Sequence, residues 1–293
     1  MTLTPTRTIL DEAHAAGRGV GAFNVVHLET AEALAGAAEA AGLPVVLQLS
    51  ENCIRYHGAL EPIALATLAI AEASTAPIAV HLDHAEDPEL ALRAIDRGFG
   101  SVMYDGAKLG FADNVATTRR VVGHADAAGV LVEAELGEIG GKDGAHAPGV
   151  RTDPGEAAHF VAETGVGALA VAVGSSHAMT ERTAAIDLDL VERLAGAVPV
   201  PLVLHGSSGV SDDTIVRSIR AGLTKINVST HLNAGYTAAI RDHLSQHPSV
   251  VDSRKYTAAG RDAVEREAAR LLTLFASAPL ASAPFASSAK ENG

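Results

Sequence analysis

Short apolar runs alternate along the chain with longer alanine-rich or amphipathic segments. Continuous apolar runs of about four to eight residues are typical of parallel strands buried on both faces, and longer segments that end at glycine or proline are typical of helices. The predicted strands cover residues 20–24, 45–50, 78–83, 101–104, 131–135, 168–173, 202–205 and 225–228. The predicted helices cover residues 29–41, 62–73, 88–97, 112–128, 154–164, 190–197 and 212–220, with an eighth beginning near His231.

Eight strand-then-helix repeats favour a closed (β/α)8 barrel, the TIM barrel, over an open doubly wound sheet. One barrel typically needs about 250 residues, and the chain has 293. A further helix is predicted over residues 258–275, so we expect a single barrel domain with a C-terminal helix over residues 1–275. Residues 276–293 are rich in Ala, Ser and Pro. Such a segment buries too little apolar surface to order itself, which predicts a disordered tail.

Polar residues cluster where four of the predicted strands end. These motifs are His81-Leu82-Asp83-His84, Gly174-Ser175-Ser176-His177, His205-Gly206-Ser207-Ser208-Gly209 and Asn227-Val228-Ser229-Thr230. In an α/β barrel the carboxyl ends of the strands meet at one face and build the active site. Three of the motifs deliver a histidine there, and three imidazoles with an open fourth position make a catalytic zinc site. The pattern therefore indicates a zinc-dependent lyase.

The charge and the apolar content of the sequence limit which kinds of molecule the protein could bind. The formal net charge is −13, which argues against nucleic acid or an anionic membrane as a partner. A phosphorylated substrate stays compatible, because backbone amides can hold phosphate inside an acidic protein. No segment approaches the roughly 18 to 20 apolar residues of a membrane span, and the N-terminal segment lacks the apolar core of a signal peptide. The single Cys53 excludes an internal disulfide, and we expect a cytoplasmic protein.

Five motifs in order carry a resemblance to a known family. They are His81-Leu82-Asp83-His84, Val132-Glu133-Ala134-Glu135-Leu136-Gly137, the stretch ending at His177, Leu204-His205-Gly206-Ser207-Ser208 and Lys225-Ile226-Asn227-Val228. With them the chain resembles the class II (zinc-dependent) ketose-bisphosphate aldolases, especially the branch of fructose- and tagatose-bisphosphate aldolases. The resemblance runs from about residue 22 to about residue 256, and each motif lies at the mouth of a predicted strand.

The resemblance implies the roles at a metal centre. The catalytic zinc would be ligated by three histidines, His84, His177 and His205. Two acidic residues match positions that can hold zinc in an alternative inward location, Asp105 and Glu135. Asp83 would be the general acid/base that takes the proton from the C4 hydroxyl during cleavage. The cleavage generates an enediolate, whose developing charge zinc stabilises as a Lewis acid.

The resemblance also implies where a ketose (bis)phosphate would bind. The residues matching the dihydroxyacetone phosphate half are Gly206, Ser207, Ser208, Asn227, Ser229 and Thr230. Ser50 resembles a substrate-contacting serine, and Arg254 matches the arginine assigned to the far phosphate. A monovalent cation near the phosphate and a homodimer or homotetramer are further expectations from the family.

Asp83 and His84 are neighbours that would both have to serve this site. In a regular strand consecutive side chains point to opposite faces. The assignment therefore predicts that the backbone leaves strand geometry around these two residues.

Departures from the family pattern leave the substrate open. Ala85, Ala178, Ser229 and Ser253 replace residues usual in the family or in its branches. The loop over residues 139–146 lacks the clear glutamate proposed to move the proton of the three-carbon half, which leaves Asp143 or His146. The sequence therefore predicts the reaction type more firmly than the ketose, and an unphosphorylated far end or an inositol-catabolic substrate stays open.

Other interpretations compete with these assignments. Asp83 could orient a ligand rather than react, Glu135 could be a buried acid, and Asp105 could belong to an ordinary turn. Ser207 and Ser208 could cap a turn, and Arg254 could be a surface cation. For the whole chain, the alternatives are a Schiff-base (class I) aldolase using Lys225 and a non-catalytic sugar-phosphate-binding protein on an aldolase scaffold.

Overall fold

The computed structural model describes residues 3–136 and 151–277. Eight parallel strands form a closed barrel in which each strand pairs with the next and β8 pairs with β1. The strands are β1 (Val20–Asn24), β2 (Val45–Ser50), β3 (Ile78–Ala85), β4 (Ser101–Tyr104), β5 (Leu131–Leu136), β6 (Ala168–Val171), β7 (Leu202–Leu204) and β8 (Leu223–Val228). The predicted (β/α)8 TIM barrel is confirmed.

Helices surround the barrel. They are α1 (Thr6–Ala15), α2 (Leu28–Ala41), α3 (Glu51–His57), α4 (Glu61–Ala73), α5 (Pro88–Asp96), α6 (Phe111–Ala128), α7 (Pro154–Thr164), α8 (Leu188–Ala197), α9 (Asp212–Ala221), α10 (Thr230–Gln246) and α11 (Ser253–Ala276), with a 3₁₀ turn at Ser207–Gly209. Two of them, α1 and α3, were missed by the sequence pattern. The last helix is longer at both ends than the predicted 258–275.

No helix in the two described segments combines the length and apolar character needed to cross a membrane.

Two apolar cores hold the barrel. The outer core lies between strands and helices and contains the larger side chains, among them Phe23, Phe160 and Phe275. The inner core fills the barrel and is dominated by small side chains such as Ala22, Ala79, Ala168 and Ala170. The inner core is thus built from aliphatic side chains and Met103, whereas the buried phenylalanines pack outside the strands.

Helix α1 closes the amino end of the barrel. Its Ile9, Leu10 and Ala13 belong to the same buried cluster as Val20 and Leu131 of the barrel interior. Because α1 plugs this end, the cleft above the barrel interior lies at the carboxyl ends of the strands.

Several sequence-based expectations lie outside the described residues. They concern the loop of residues 137–149, with Asp143 and His146, and the tail beyond residue 277. The predicted start of that tail, Ala276, is the last residue of α11.

Candidate active site

A bulge in β3 brings the side chains of two consecutive residues, Asp83 and His84, to the carboxyl end of the barrel. Leu82 pairs with Val102 and Ala85 with Tyr104, so Asp83 and His84 together stand opposite one residue of β4. The φ angle of His84 is +50°, a left-handed conformation that is uncommon outside glycine. This irregularity in register and backbone confirms the predicted departure from strand geometry.

Three histidines from β3, the end of β7 and the loop after β6 converge at this end of the barrel. Their ring centroids lie 4.5 Å apart for His84 and His205, 5.0 Å for His84 and His177, and 5.7 Å for His177 and His205. One nitrogen from each ring lies within 4.8 Å of the others. His84 and His205 are buried and His177 is half-buried. The structure therefore brings together the three residues predicted as zinc ligands.

The neighbours of two of these rings determine which nitrogens face the centre. His84 Nδ1 lies 2.8 Å from Asp105 Oδ2, and His205 Nε2 lies 3.0 Å from Glu133 Oε1. Burial holds the pKa of His205 well below its usual value, so its ring is neutral at pH 7. A neutral imidazole has one N–H, and the carboxylate of Glu133 is placed to accept that of His205. His205 Nδ1 and His84 Nε2 lie 2.8 Å apart at the centre, and ring nitrogens gathered in this way fit a cation such as zinc.

His84 also belongs to a second group of potential metal ligands. Ligand atoms of His84, Asp105 and Glu135 also lie within 4.8 Å of one another. Glu135 is buried at the end of β5, and its backbone carbonyl accepts a hydrogen bond from Asn114 at 3.5 Å. The two acidic residues predicted for an inward metal location are thus beside the first group.

The carboxylate of Asp83 is buried and held by two amides. Asn24 Nδ2 donates to Oδ2 at 3.1 Å, and Asn227 Nδ2 lies 3.4 Å from Oδ1. Burial raises the pKa of Asp83, but His84, His205, Lys225 and the bond from Asn24 outweigh burial and lower it to about 2. The group is therefore ionised at neutral pH, as a proton acceptor must be.

Asn24 and Gln48 are site residues that the sequence analysis missed. Gln48 Nε2 donates to Asn24 Oδ1 at 3.0 Å, so the two amides and Asp83 form a chain across β1, β2 and β3. Their positions in the sequence could have identified them. Asn24 is the last residue of its strand, at the carboxyl end of the barrel, and Gln48 lies two residues before Ser50, so that both side chains are on the same face of β2.

A cleft of about 740 Å³ opens above these groups. The predicted substrate residues that line it are Ser50, Gly206, Ser208, Asn227, Ser229 and Thr230. Asp83 and the three histidines form its floor, and Asn52, which was not predicted, contributes to the wall.

Two predicted substrate residues lie elsewhere. Ser207 is buried, and its hydroxyl donates to the backbone carbonyl of Asn227. The side chain of Arg254 is 89% exposed and pairs with Asp252 at 2.8 Å, outside the cleft. Arg254 is not among the residues that line the cleft with the three histidines, and its role at a far phosphate stays a prediction.

Lys225 faces the barrel interior but not the cleft. Its side chain is fully buried, and Nζ donates to Glu133 Oε2 at 2.8 Å. A Schiff-base lysine must meet a substrate carbonyl, whereas this amine is engaged below the histidines. The geometry therefore disfavours the class I alternative.

Comparison with known proteins agrees with this geometry. The family model described as fructose-bisphosphate aldolase class-II matches residues 4–279. A fructose-bisphosphate aldolase of Geobacillus stearothermophilus is 39% identical over 269 residues, which cover 90% of this chain and 94% of the relative. A 6-phospho-5-dehydro-2-deoxy-D-gluconate aldolase of Bacillus licheniformis is 35% identical over 268 residues, covering 90% and 92%.

Solved structures give the same result. The YdjI aldolase from Escherichia coli K12 superposes with a TM-score of 0.83 at 30% identity, covering 94% of this chain and 98% of that one. A structure described as a putative fructose-1,6-biphosphate aldolase from Coccidioides immitis gives a TM-score of 0.82 at 30% identity, covering 95% and 98%. With a family model matched over nearly all its length, the chain belongs to the class-II fructose-bisphosphate aldolase family.

Proposed function

We propose that this chain is a zinc-dependent aldolase that cleaves a ketose (bis)phosphate into dihydroxyacetone phosphate and an aldehyde. The family is one of carbon–carbon lyases acting on sugar phosphates. The observation that carries the proposal is the convergence of His84, His177 and His205 beside the ionised Asp83 on the floor of one cleft.

The three histidines would hold the zinc. Asp105 and Glu133 each take an N–H from one of these rings, which directs His84 Nε2 and His205 Nδ1 toward the metal position. Bound zinc would supply a Lewis acid for the charge that develops on the substrate oxygens. Neutral imidazole ligands would leave the positive charge of the metal largely undiminished for that purpose.

Asp83 would move the proton of the reacting hydroxyl. Its carboxylate is ionised and oriented by Asn24 and Asn227, so it can accept the C4 hydroxyl proton in cleavage and return it in condensation. The proton of the three-carbon half would be moved by another group, for which Asp143 and His146 are our candidates.

The phosphate of the three-carbon half would bind between the ends of β7 and β8. Ser208 Oγ accepts a hydrogen bond from the backbone N–H of His231 at 3.1 Å, which joins the two turns. Thr230 is the first residue of the 17-residue helix α10, and the amides at a helix start favour a phosphate dianion. A monovalent cation beside this phosphate is part of the proposal.

A second candidate substrate is a ketose phosphate without a phosphate at its far end. The observation favouring it is that the guanidinium of Arg254 is exposed and paired with Asp252 rather than directed to the cleft. One relative, at 35% identity, is named for 6-phospho-5-dehydro-2-deoxy-D-gluconate. The remaining alternative is a non-catalytic sugar-phosphate-binding protein. Against it, Asp83 and the three histidines are all present in the cleft.

We further propose a cytoplasmic homodimer or homotetramer with small-molecule partners only. The net charge of −13 argues against nucleic acid and anionic membranes as partners, the single Cys53 fits a reducing compartment, and the oligomer is the expectation from the family.

A retro-aldol assay with a panel of ketose phosphates, with and without a chelator, tests the proposed function. We expect release of dihydroxyacetone phosphate from at least one member of the panel, loss of activity with the chelator and recovery with added zinc. Activity that persists after verified metal removal, together with a substrate-dependent adduct trapped by borohydride, would establish the Lys225 mechanism instead. Binding of the panel without any turnover would leave the non-catalytic alternative.

A further inference from the structure

A charged layer lies inside the barrel directly below the histidine cluster. His81 on β3, Glu133 on β5 and Lys225 on β8 are all fully buried. Lys225 Nζ lies 2.8 Å from Glu133 Oε2 and 3.5 Å from His81 Nε2. Replacing a buried ion pair by apolar residues of similar volume is often neutral or stabilising. Since apolar side chains fill much of the barrel interior around it, the stability of the fold gives no reason for this ion pair.

Glu133 connects this layer to the cleft. Its two oxygens have different partners, because Oε2 bonds to Lys225 while Oε1 accepts from His205 Nε2 at 3.0 Å. An imidazole that gives its Nε2 proton to a carboxylate presents Nδ1 as its lone pair, and such outer partners fix both tautomer and ring orientation of a metal ligand. His205 Nδ1 is the nitrogen that lies 2.8 Å from His84 Nε2.

We propose that Glu133 is a positioning residue that holds His205 as an Nδ1 ligand, and that Lys225 is the counter-ion that keeps Glu133 in this role. The inference rests on the proposed function, because it concerns the metal of the same site. It also assigns a purpose to Lys225, the lysine of the class I alternative.

The charge balance explains why Glu133 needs Lys225. Glu133 is fully buried in the barrel interior, where a carboxylate without an opposite charge nearby would be strongly disfavoured. Lys225 compensates its charge, so the ion pair adds no net charge below the three histidines. His81 completes the layer, since burial keeps its pKa well below the usual value and its Nδ1 bonds to Ser101 Oγ at 2.7 Å.

The test measures zinc affinity by competition with a chromophoric chelator, and the visible absorption of the cobalt-substituted protein. In Glu133→Gln we expect zinc to bind about 10- to 100-fold more weakly, the usual effect of losing such a partner, and the cobalt bands to shift. Ser101→Ala is the matched control, because it removes a hydrogen bond from the same buried layer without touching His205. We expect its zinc affinity and cobalt spectrum to equal those of the wild type.

Each outcome decides the inference. If Glu133→Gln folds and binds zinc as tightly as the wild type, or if Ser101→Ala weakens zinc equally, the positioning role is refuted. If Glu133→Gln does not fold, the double variant Glu133→Gln/Lys225→Met, which leaves no unpaired buried charge, is measured in its place with the same two criteria. A wild-type protein that binds no zinc would instead refute the proposed function, so the two failures are distinguishable.

Discussion

Gly206 lies against the backbone of Ser176, so the end of β7 and the loop carrying His177 are in direct contact. A Cβ built at position 206 would lie 2.6 Å from the carbonyl carbon and oxygen of Ser176, and the φ angle of Gly206 is +66°. Both the space and the backbone conformation therefore require glycine. This contact fixes the distance between His205 and His177, which come from different strands.

Gly206→Ala should damage the site more than the fold. The methyl group must displace the loop of His177, and a shift of about 1 Å in a catalytic constellation can lower the rate about 10²-fold. We expect such a loss in kcat, weaker zinc binding and a destabilisation of about 1–3 kcal/mol. Gly123→Ala in α6 is the control, since no atom lies within 4 Å of its added Cβ. It should keep full activity and gain about 0.5–1 kcal/mol, and equal behaviour of the two variants would contradict the argument.

Removing one ligand should remove the metal. The wild type should carry about one zinc per chain at the catalytic site, and His205→Ala should leave a folded barrel with little zinc and no lyase activity. His124→Ala is the control, because His124 is an exposed histidine of α6 paired with Asp96 at 2.8 Å. Metal analysis after gel filtration measures both variants. A His205→Ala protein with a full complement of zinc would remove His205 from the ligand set.

Asp83→Ala should separate chemistry from metal binding. A positioned acid/base contributes about 10² to 10⁴ in rate, so kcat should fall by that factor while zinc and substrate affinity change only several-fold. Asp83→Asn keeps the shape and tests the charge, and we expect a similar loss of kcat. If zinc is lost in proportion to activity in both variants, Asp83 orients a ligand and does not react.

The sequence predicted the strands because burial leaves a visible pattern of apolar residues. Strands buried on both faces appear as apolar runs, which is why all eight were recognised. The predicted end of β3 was Asp83, two residues before the observed end at Ala85, because the run of residues typical of a strand is broken at the polar site residue His84. Helix α3 is only seven residues long, and its clearest feature is the N-cap, where the Ser50 side chain accepts a hydrogen bond from the backbone N–H of Cys53. So short a helix shows too few turns for a hydrophobic periodicity to be recognised.

Other features depend on three-dimensional partners that spacing does not reveal. Glu133 was part of a recognised motif, but its role depends on Lys225, 92 positions away in the chain. Asn24 was visible as a strand end, whereas its bond to Asp83 joins β1 to β3. Arg254 was predicted to reach substrate, and this stays a prediction; in the structure its guanidinium pairs with the nearby carboxylate of Asp252, which caps α11.

The thiol of Cys53 should be unreactive in the folded protein. It is buried, its Sγ donates to the carbonyl of Val26 at 3.6 Å, and burial raises the pKa of the thiol to about 11. Since the thiolate is the reactive form, labelling by a disulfide reagent at pH 8 should be slow in the native state and complete in denaturant. Rapid stoichiometric labelling of the native protein would show that the thiol is accessible.

Asp212 should make stability depend on pH in the acid range. Burial raises its pKa, but hydrogen bonds from Arg270 and Arg182 outweigh burial, so the pKa in the folded protein is lowered. The two guanidiniums each approach a carboxylate oxygen at 2.6 Å. A lowered folded pKa means that the stabilisation is present above the unfolded pKa of about 3.9 and is lost as the pH falls through the folded value.

The measurement is urea unfolding of the wild type and Asp212→Asn between pH 7 and pH 3. The variant should be less stable at pH 7, and the difference should shrink as the pH falls below about 4, because the wild-type carboxylate becomes protonated. Asp213→Asn removes a charge from the same first turn of α9, where the side chain is 81% exposed, and so controls for the helix end itself. A difference between Asp212→Asn and the wild type that stays constant over this range would show that the ion pairs with Arg182 and Arg270 do not stabilise the fold.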